Sequence, residues 1–179
     1  STKAALRSIR ANSRMIKKVY VPKYLYPLSS VLFNYVIFLI SLSVLVILGF
    51  VVGVYPAWYW IKLVLPLSIL LVMTYGVGMI LSTIAVFFRD MEYLWDVFLM
   101  IIMYTCAIFY SPERLLKSGH AWVLKVNPLY GVIGNTRNIV YGNSIDWSSM
   151  VYAIAFSLLA LAVGLYVFHK KQDEFILQI

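Results

Sequence analysis

The chain has 179 residues, 63% of them hydrophobic and 12% charged, with a net charge of +8. Soluble domains carry about a quarter charged residues and under half apolar ones, so this composition excludes a soluble enzyme or binding module and indicates a single membrane domain over residues 1–179. The single cysteine, Cys106, excludes an internal disulfide; without a CxxC or a nearby histidine it reads as packing, not redox or metal chemistry.

Residues 1–26 hold seven Lys or Arg and no acid. No short apolar core ends there in a small-residue cleavage site, so a signal peptide is not expected, and with Ser1 in place of an initiator Met the start reads as a cut. At about 100° per residue, Lys3, Arg7, Arg10, Arg14, Lys17 and Lys18 share one arc of a helix, and Leu6, Ile9, Ile16 and Tyr20 an adjacent one. Within this amphipathic, cationic stretch, Asn12 to Val19 forms a short piece that Pro22 stops. Anionic lipid, nucleic acid and a cytoplasmic protein are the partners such a segment can serve. Nucleic acid fits least, because no recognised binding motif accompanies the charge. Lipid attraction is the default for a juxtamembrane basic helix, while the short, bounded shape suits protein docking.

No charge occurs between Lys23 and Lys62, and residues 27–54 suffice to cross a hydrocarbon layer of about 30 Å as a helix. Tyr55, Pro56, Trp58, Tyr59 and Trp60 then mark a headgroup-level turn. Residues 63–88 form the second span, with Gly76 and Gly78 placed where another helix can approach closely. "RDMEYLWD" is the return hairpin, in which Arg89 and Asp90 read as a snorkelling interface pair. Glu92 and Asp96 stand four apart, as paired carboxylates for acid–base work would. With no histidine or nucleophile in reach, they read as a solvated cytoplasmic face. Residues 94–112 are taken as the third span, although the uncharged run from Val97 to Pro112 is only 16 residues, about 24 Å. Tyr104, Phe109 and Tyr110 in it read as core or interfacial aromatics.

Residues 113–146 contain "AWVLKVNPLYGVIGNTRNIVYGN", apolar but broken by Lys125, Asn127-Pro128, Gly131, Gly134 and Arg137. Two readings stay open: two short helices that dip into the membrane and return, or a helical loop on the outer surface. Arg137, a cation among apolar residues, requires a partner or a water-filled cavity. Residues 147–168 are the last span, and 169–179 a tail carrying Lys170 and Lys171. The positive charge places the N-terminal stretch in the cytoplasm, and four spans return the tail to the same side.

The ordered set N-x-x-M-I-K-K-x-x-x-P (Asn12 to Pro22), LSTIAVFFRDMEYLWDV (Leu81 to Val97), IFYSPE (Ile108 to Glu113) and NPLYGVIGNTRNIVYG (Asn127 to Gly142) resembles the permease subunits of type-two ABC transporters. It is most similar to the branch that exports lipid-linked O-antigen polysaccharide and teichoic acid. The resemblance implies an all-α integral membrane protein, of which this chain is the C-terminal part of a six-span permease, with four spans and a re-entrant helix pair before the last. It implies a coupling helix seated in an ATPase subunit through Asn12, Arg14, Met15, Ile16, Lys17 and Lys18. Arg89 and Asp90 become a cytoplasmic gate or headgroup contact, and Tyr104, Phe109, Tyr110, Asn127, Pro128 and Arg137 line the substrate path and outer mouth. One departure is that Cys106-Ala107 stands where the family often has Ser or Thr followed by Pro, so the helix break expected there could shift to Pro112.

No GxxxxGK[ST] occurs, so the chain has no phosphate-cradling loop, and ATP and Mg are expected on the partner. The implied partners are a nucleotide-binding ATPase dimer, a second copy of the permease, a polyisoprenyl-diphosphate-linked glycan and membrane lipid, with no nucleic acid. The implied location is the cytoplasmic membrane of a bacterium or archaeon. Two alternatives stand beside this: a type-two ABC exporter of drugs or other lipids, and an intramembrane enzyme acting on lipid-linked glycans, whose catalytic constellation is not found.

Overall fold

The structure, a computed structural model, describes residues 1–18, 21–51, 58–106, 108 and 121–175. The described residues form helices and no strand. In chain order these are α1 (Thr2–Ala11), α2 (Ser13–Lys18), α3 (Leu25–Val51), a 3-10 helix (Trp58–Leu63), α4 (Val64–Phe87), α5 (Met91–Thr105), α6 (Ala121–Val126), α7 (Pro128–Val140) and α8 (Trp147–Lys171).

Among the described residues, three stretches are long and apolar enough to cross a membrane: Leu25–Gly49, Trp60–Phe87 and Trp147–Lys171. They coincide with the expected first, second and last spans, the last running to Lys171 instead of residue 168. His169, Lys170 and Lys171 occupy its final turn, where cations complement the exposed carbonyls of a helix end. The expectation of four spans is met only in part. At 15 residues, α5 reaches about 22 Å, short of the hydrocarbon layer. Phe109 to Pro112, the rest of that expected span, lie outside the described residues. Helix α5 stops at Thr105, with the Cys106 N–H closing its last turn on the Ile102 carbonyl. The break therefore falls at Cys106 without the Ser-Pro or Thr-Pro pair.

Small residues decide how the long helices meet. A Cβ on Gly76 would lie 2.5 Å from the Leu161 nitrogen, and one on Gly164 would lie 2.5 Å from the Gly76 carbonyl oxygen. Helices α4 and α8 thus touch backbone to backbone, with Ala153, Ser157 and Ala160 continuing the buried face of α8. Lipid tails are as apolar as leucine, so close packing, not hydrophobic drive, holds such a pair together. In contrast α3 is mostly exposed along its length. Its inner contacts are the buried Pro27 and Val31 and the Tyr35 hydroxyl, which donates to the Leu67 carbonyl at 3.0 Å.

The N-terminal stretch is two helices, not one. Asn12 leaves helical geometry (φ −101°, ψ 16°), and both its N–H and its side-chain amide donate to the Ser8 carbonyl. Leu6 and Ile9 of the apolar arc read from the sequence are on the face α1 buries, together with Ala5, and all three are at most 1% exposed. Ile9 joins Met79, Val86, Phe168 and Phe175, while Leu6 joins Leu81, Ala85 and Trp95. A Cβ on Gly78 would meet that of Ala5 at 2.9 Å, so α1 rises alongside α4 by at least nine residues from its end, about 14 Å. Ile16 of α2 still packs on the Ile9 cluster. Tyr20, expected on the same arc, lies outside the described residues. Below α8 the chain folds back, seating Phe175 edge-on against Phe168 and Phe87, while the Lys23 ammonium donates to the Gln172 carbonyl at 2.5 Å.

Candidate coupling face and outer pocket

The six residues expected to contact an ATPase divide into two groups. Helix α2 has no buried residue, and Arg14, Met15, Lys17 and Lys18 are exposed, Met15 to 59%. Asn12 and Ile16 turn inward: Asn12 makes the hinge, and Ile16 fixes α2 to the bundle. The outward residues form an apolar centre among cations on a single-turn projection. Arg89 and Asp90 stand exposed in the tight turn joining α4 to α5, where the Asp90 carbonyl accepts from the Tyr93 and Leu94 N–H groups.

Glu92 and Asp96 add to the sequence reading. They stay part-exposed, as a solvated face would, and both turn to α1. Asp96 pairs with Lys3 at 2.6 Å, Glu92 pairs with Arg7, and the Trp95 indole N–H donates to Thr2 Oγ1 at 3.2 Å. The signal was present as two four-residue spacings of opposite sign, Lys3/Arg7 and Glu92/Asp96, which match when two helices run antiparallel.

At the other end, Asn127 starts α7. Its side-chain oxygen accepts from the Leu129 N–H at 3.0 Å and Pro128 occupies the first turn, the arrangement in which a missing N–H costs nothing. The Asn127 amide also donates to Thr105 Oγ1 at 3.1 Å and Cys106 Sγ at 3.2 Å, tying α7 to the end of α5. The Tyr152 hydroxyl donates to the Val126 carbonyl, linking α6 to α8.

Asn135, which sequence reasoning missed, is 1% exposed. Its amide group faces the Gly131 carbonyl and Ser149 Oγ, and its oxygen accepts the Asp146 N–H at 2.7 Å. Only a polar residue on the inner face of α7, read against α8, could have pointed to it. Gly131 lets α7 settle there, since a Cβ would lie 2.7 Å from the Ser149 carbonyl oxygen.

Two cavities border these elements. A polar one of about 100 Å³ is lined by Cys106, Tyr130, Asn135, Arg137, Asp146 and Ser149, and has room for several waters. Arg137 thus lines a polar pocket, as a cation in an apolar segment requires. A larger cavity of about 860 Å³ lies between α4 and α5, with Lys3 at one end and Asn127 and Pro128 at the other, and mainly apolar walls such as Val77, Phe98 and Phe156. Of the expected path residues, Asn127 and Pro128 line the larger cavity and Arg137 the smaller. Tyr104 is 57% exposed on α5 and lines neither; Phe109 and Tyr110 lie outside the described residues.

Long apolar helices, small-residue seams and an exposed cationic turn at one end define a multi-pass membrane protein. Residues 11–141 match the family described as ABC-2 type transporter, and the chain belongs to that family. It is similar to two O-antigen export system permease proteins RfbA from Klebsiella pneumoniae, at 28% identity over 172 residues and 29% over 174, each covering 96% of this chain and 66% of the relative. A third RfbA, from Myxococcus xanthus, is 24% identical over 163 residues, 90% of this chain and 63% of the relative. The chain therefore spans just under two thirds of the length of these relatives.

Proposed function

We propose that this chain is part of the membrane permease subunit of an ATP-driven exporter of lipid-linked polysaccharide, such as O-antigen or teichoic acid. It works in the cytoplasmic membrane of a bacterium or archaeon as two copies on a dimer of nucleotide-hydrolysing subunits, which hold the ATP and Mg. Helix α2 is the observation that carries this reading: a projection with no buried residue, cationic and centred on Met15, held to the bundle by Asn12 and Ile16. Closure of the ATPase dimer, pressed onto α2 from the cytoplasm, biases the permease between closed and open states. Around this face, both ends of the chain are cytoplasmic. Helix α5 takes part in a fourth crossing, and α6 and α7 dip into the outer mouth.

The cargo is a polyisoprenyl-diphosphate-linked glycan. Arg89 beside Asp90 suits an anionic headgroup at the cytoplasmic entrance, and Arg137 with its polar pocket suits hydroxyl-rich cargo at the exit. Tagged permease, expressed with the ATPase of its own gene neighbourhood, should retain that subunit in detergent, and Met15→Asp should cut retention roughly tenfold, the effect of about 1.4 kcal/mol at an interface. Arg137→Ala should lower export without lowering insertion. A wild-type chain that retains no nucleotide-binding subunit, or that turns over a lipid-linked glycan by itself, overturns the reading.

A further inference from the structure

We propose that the Lys3–Asp96 and Arg7–Glu92 pairs lock α1 and α5 into a strut that carries displacement of α2 to Asn127 at the start of α7. The inference rests on the reading of α2 as the docking helix. Every link is a contact between named atoms. Helix α2 joins α1 through Asn12, which is fastened to Ser8 by its N–H and by its side chain, and through Ile16, which packs on the cluster of Ile9. Helices α1 and α5 then meet at two charged rungs, each advancing four residues, about 6 Å, on both helices. The Thr2–Trp95 hydrogen bond lies at the same end as the Lys3 rung.

Besides the rungs, α5 is held through Trp95, with Met91 and Leu99 packed on the same cluster. Trp95 is its one buried residue and packs with Leu6, Leu81 and Ala85, whereas Tyr93, Leu94, Val97, Phe98 and Ile101 are exposed. The rungs therefore fix which turn of α5 faces which turn of α1. Sliding the helices by one turn would set Arg7 against Asp96 and leave Lys3 and Glu92 without their partners, so the pairs favour one register over its neighbours. At its far end α5 presents Thr105 Oγ1 and Cys106 Sγ to the Asn127 amide, and Asn127 sets the first turn of α7. A push on α2 thus reaches the outer helices through side chains that must keep register.

Contact alone does not establish coupling, so the test is a cycle of charge reversals in the intact permease with its ATPase. Arg7→Glu and Glu92→Arg should each lower surface glycan in cells about fivefold or more, while the purified complexes retain the ATPase and hydrolyse ATP within about twofold of wild type. The α5 amides should exchange hydrogen faster in both variants. The combined Arg7→Glu/Glu92→Arg variant should restore export and exchange protection together. Export and exchange unchanged by the single reversals, or left unrestored by the combination, overturn the strut. Lys3→Asp with Asp96→Lys gives a second cycle should either first variant fail to insert. If the wild type retains no ATPase, the docking reading fails instead, and exchange of the α5 amides in the two cycles still decides whether the rungs hold α5 to α1.

Discussion

The α4–α8 seam and the α1–α5 joint fasten helices by opposite means. At the seam, Gly76 and Gly164 bring backbone against backbone, with no side chain between them to rearrange. At the joint, two flexible ion pairs and one indole span the gap, with Lys3 38% and Asp96 43% exposed. A seam of that kind has one arrangement, because interiors packed to this density do not deform continuously. A joint made of long side chains keeps its register through specific pairs instead of close packing. The rigid pair is therefore the frame, against which the proposed strut of α1 and α5 would shift.

The largest effect should come from filling the seam. Gly76→Leu places a side chain where the Leu161 backbone already lies, and should lower stability in mixed detergent micelles by about 3 kcal/mol or leave no folded protein. A mild effect would mean that the seam can open, and the contrast with the joint would collapse. Next comes Asn135→Leu, which strands the Asp146 N–H and should cost about 1–3 kcal/mol in the same titration. That loss would extend the frame to the α7–α8 contact. Gly134 has nothing within 4 Å of a built Cβ, so Gly134→Ala should stabilise α7 by up to about 1 kcal/mol, whereas Gly131→Ala, aimed at the Ser149 carbonyl, should destabilise it. Smallest of all, Lys3→Gln should shift stability by no more than about 1 kcal/mol, since a pair this exposed is screened by solvent. A loss from Lys3→Gln as large as that from Gly76→Leu would show that the joint is part of the frame.

Much of the frame was legible in the sequence. Lipid demands uninterrupted apolar runs, so α3, α4 and α8 could be read from the absence of charge, and Gly76 was visible as a point of close approach. The short α2 piece followed from Asn12 and Pro22, and Asn127-Pro128 showed as a break that proved to be a helix start. The joint was not legible as such. Lys3 and Asp96 are 93 positions apart, and periodicity shows which residues share a face but not which face it will meet. For the same reason the pairing of Glu92 and Asp96 with α1 was missed, and Asn135 passed unremarked. The depth of α1 was missed because cationic residues outweigh its apolar arc in a local reading, whereas Ala5 opposite Gly78 makes room for it in the fold.

The exposure of α3 carries an evolutionary consequence. Most of its side chains touch nothing else among the described residues, so exchanging Phe33, Leu45 or Leu48 among leucine, isoleucine, valine and phenylalanine alters no contact within them. Pro27, Val31 and Tyr35, which meet the rest of the molecule, lack that freedom. Positions retained among distant homologues on the opposite side of this helix would therefore mark a surface met by something outside these residues.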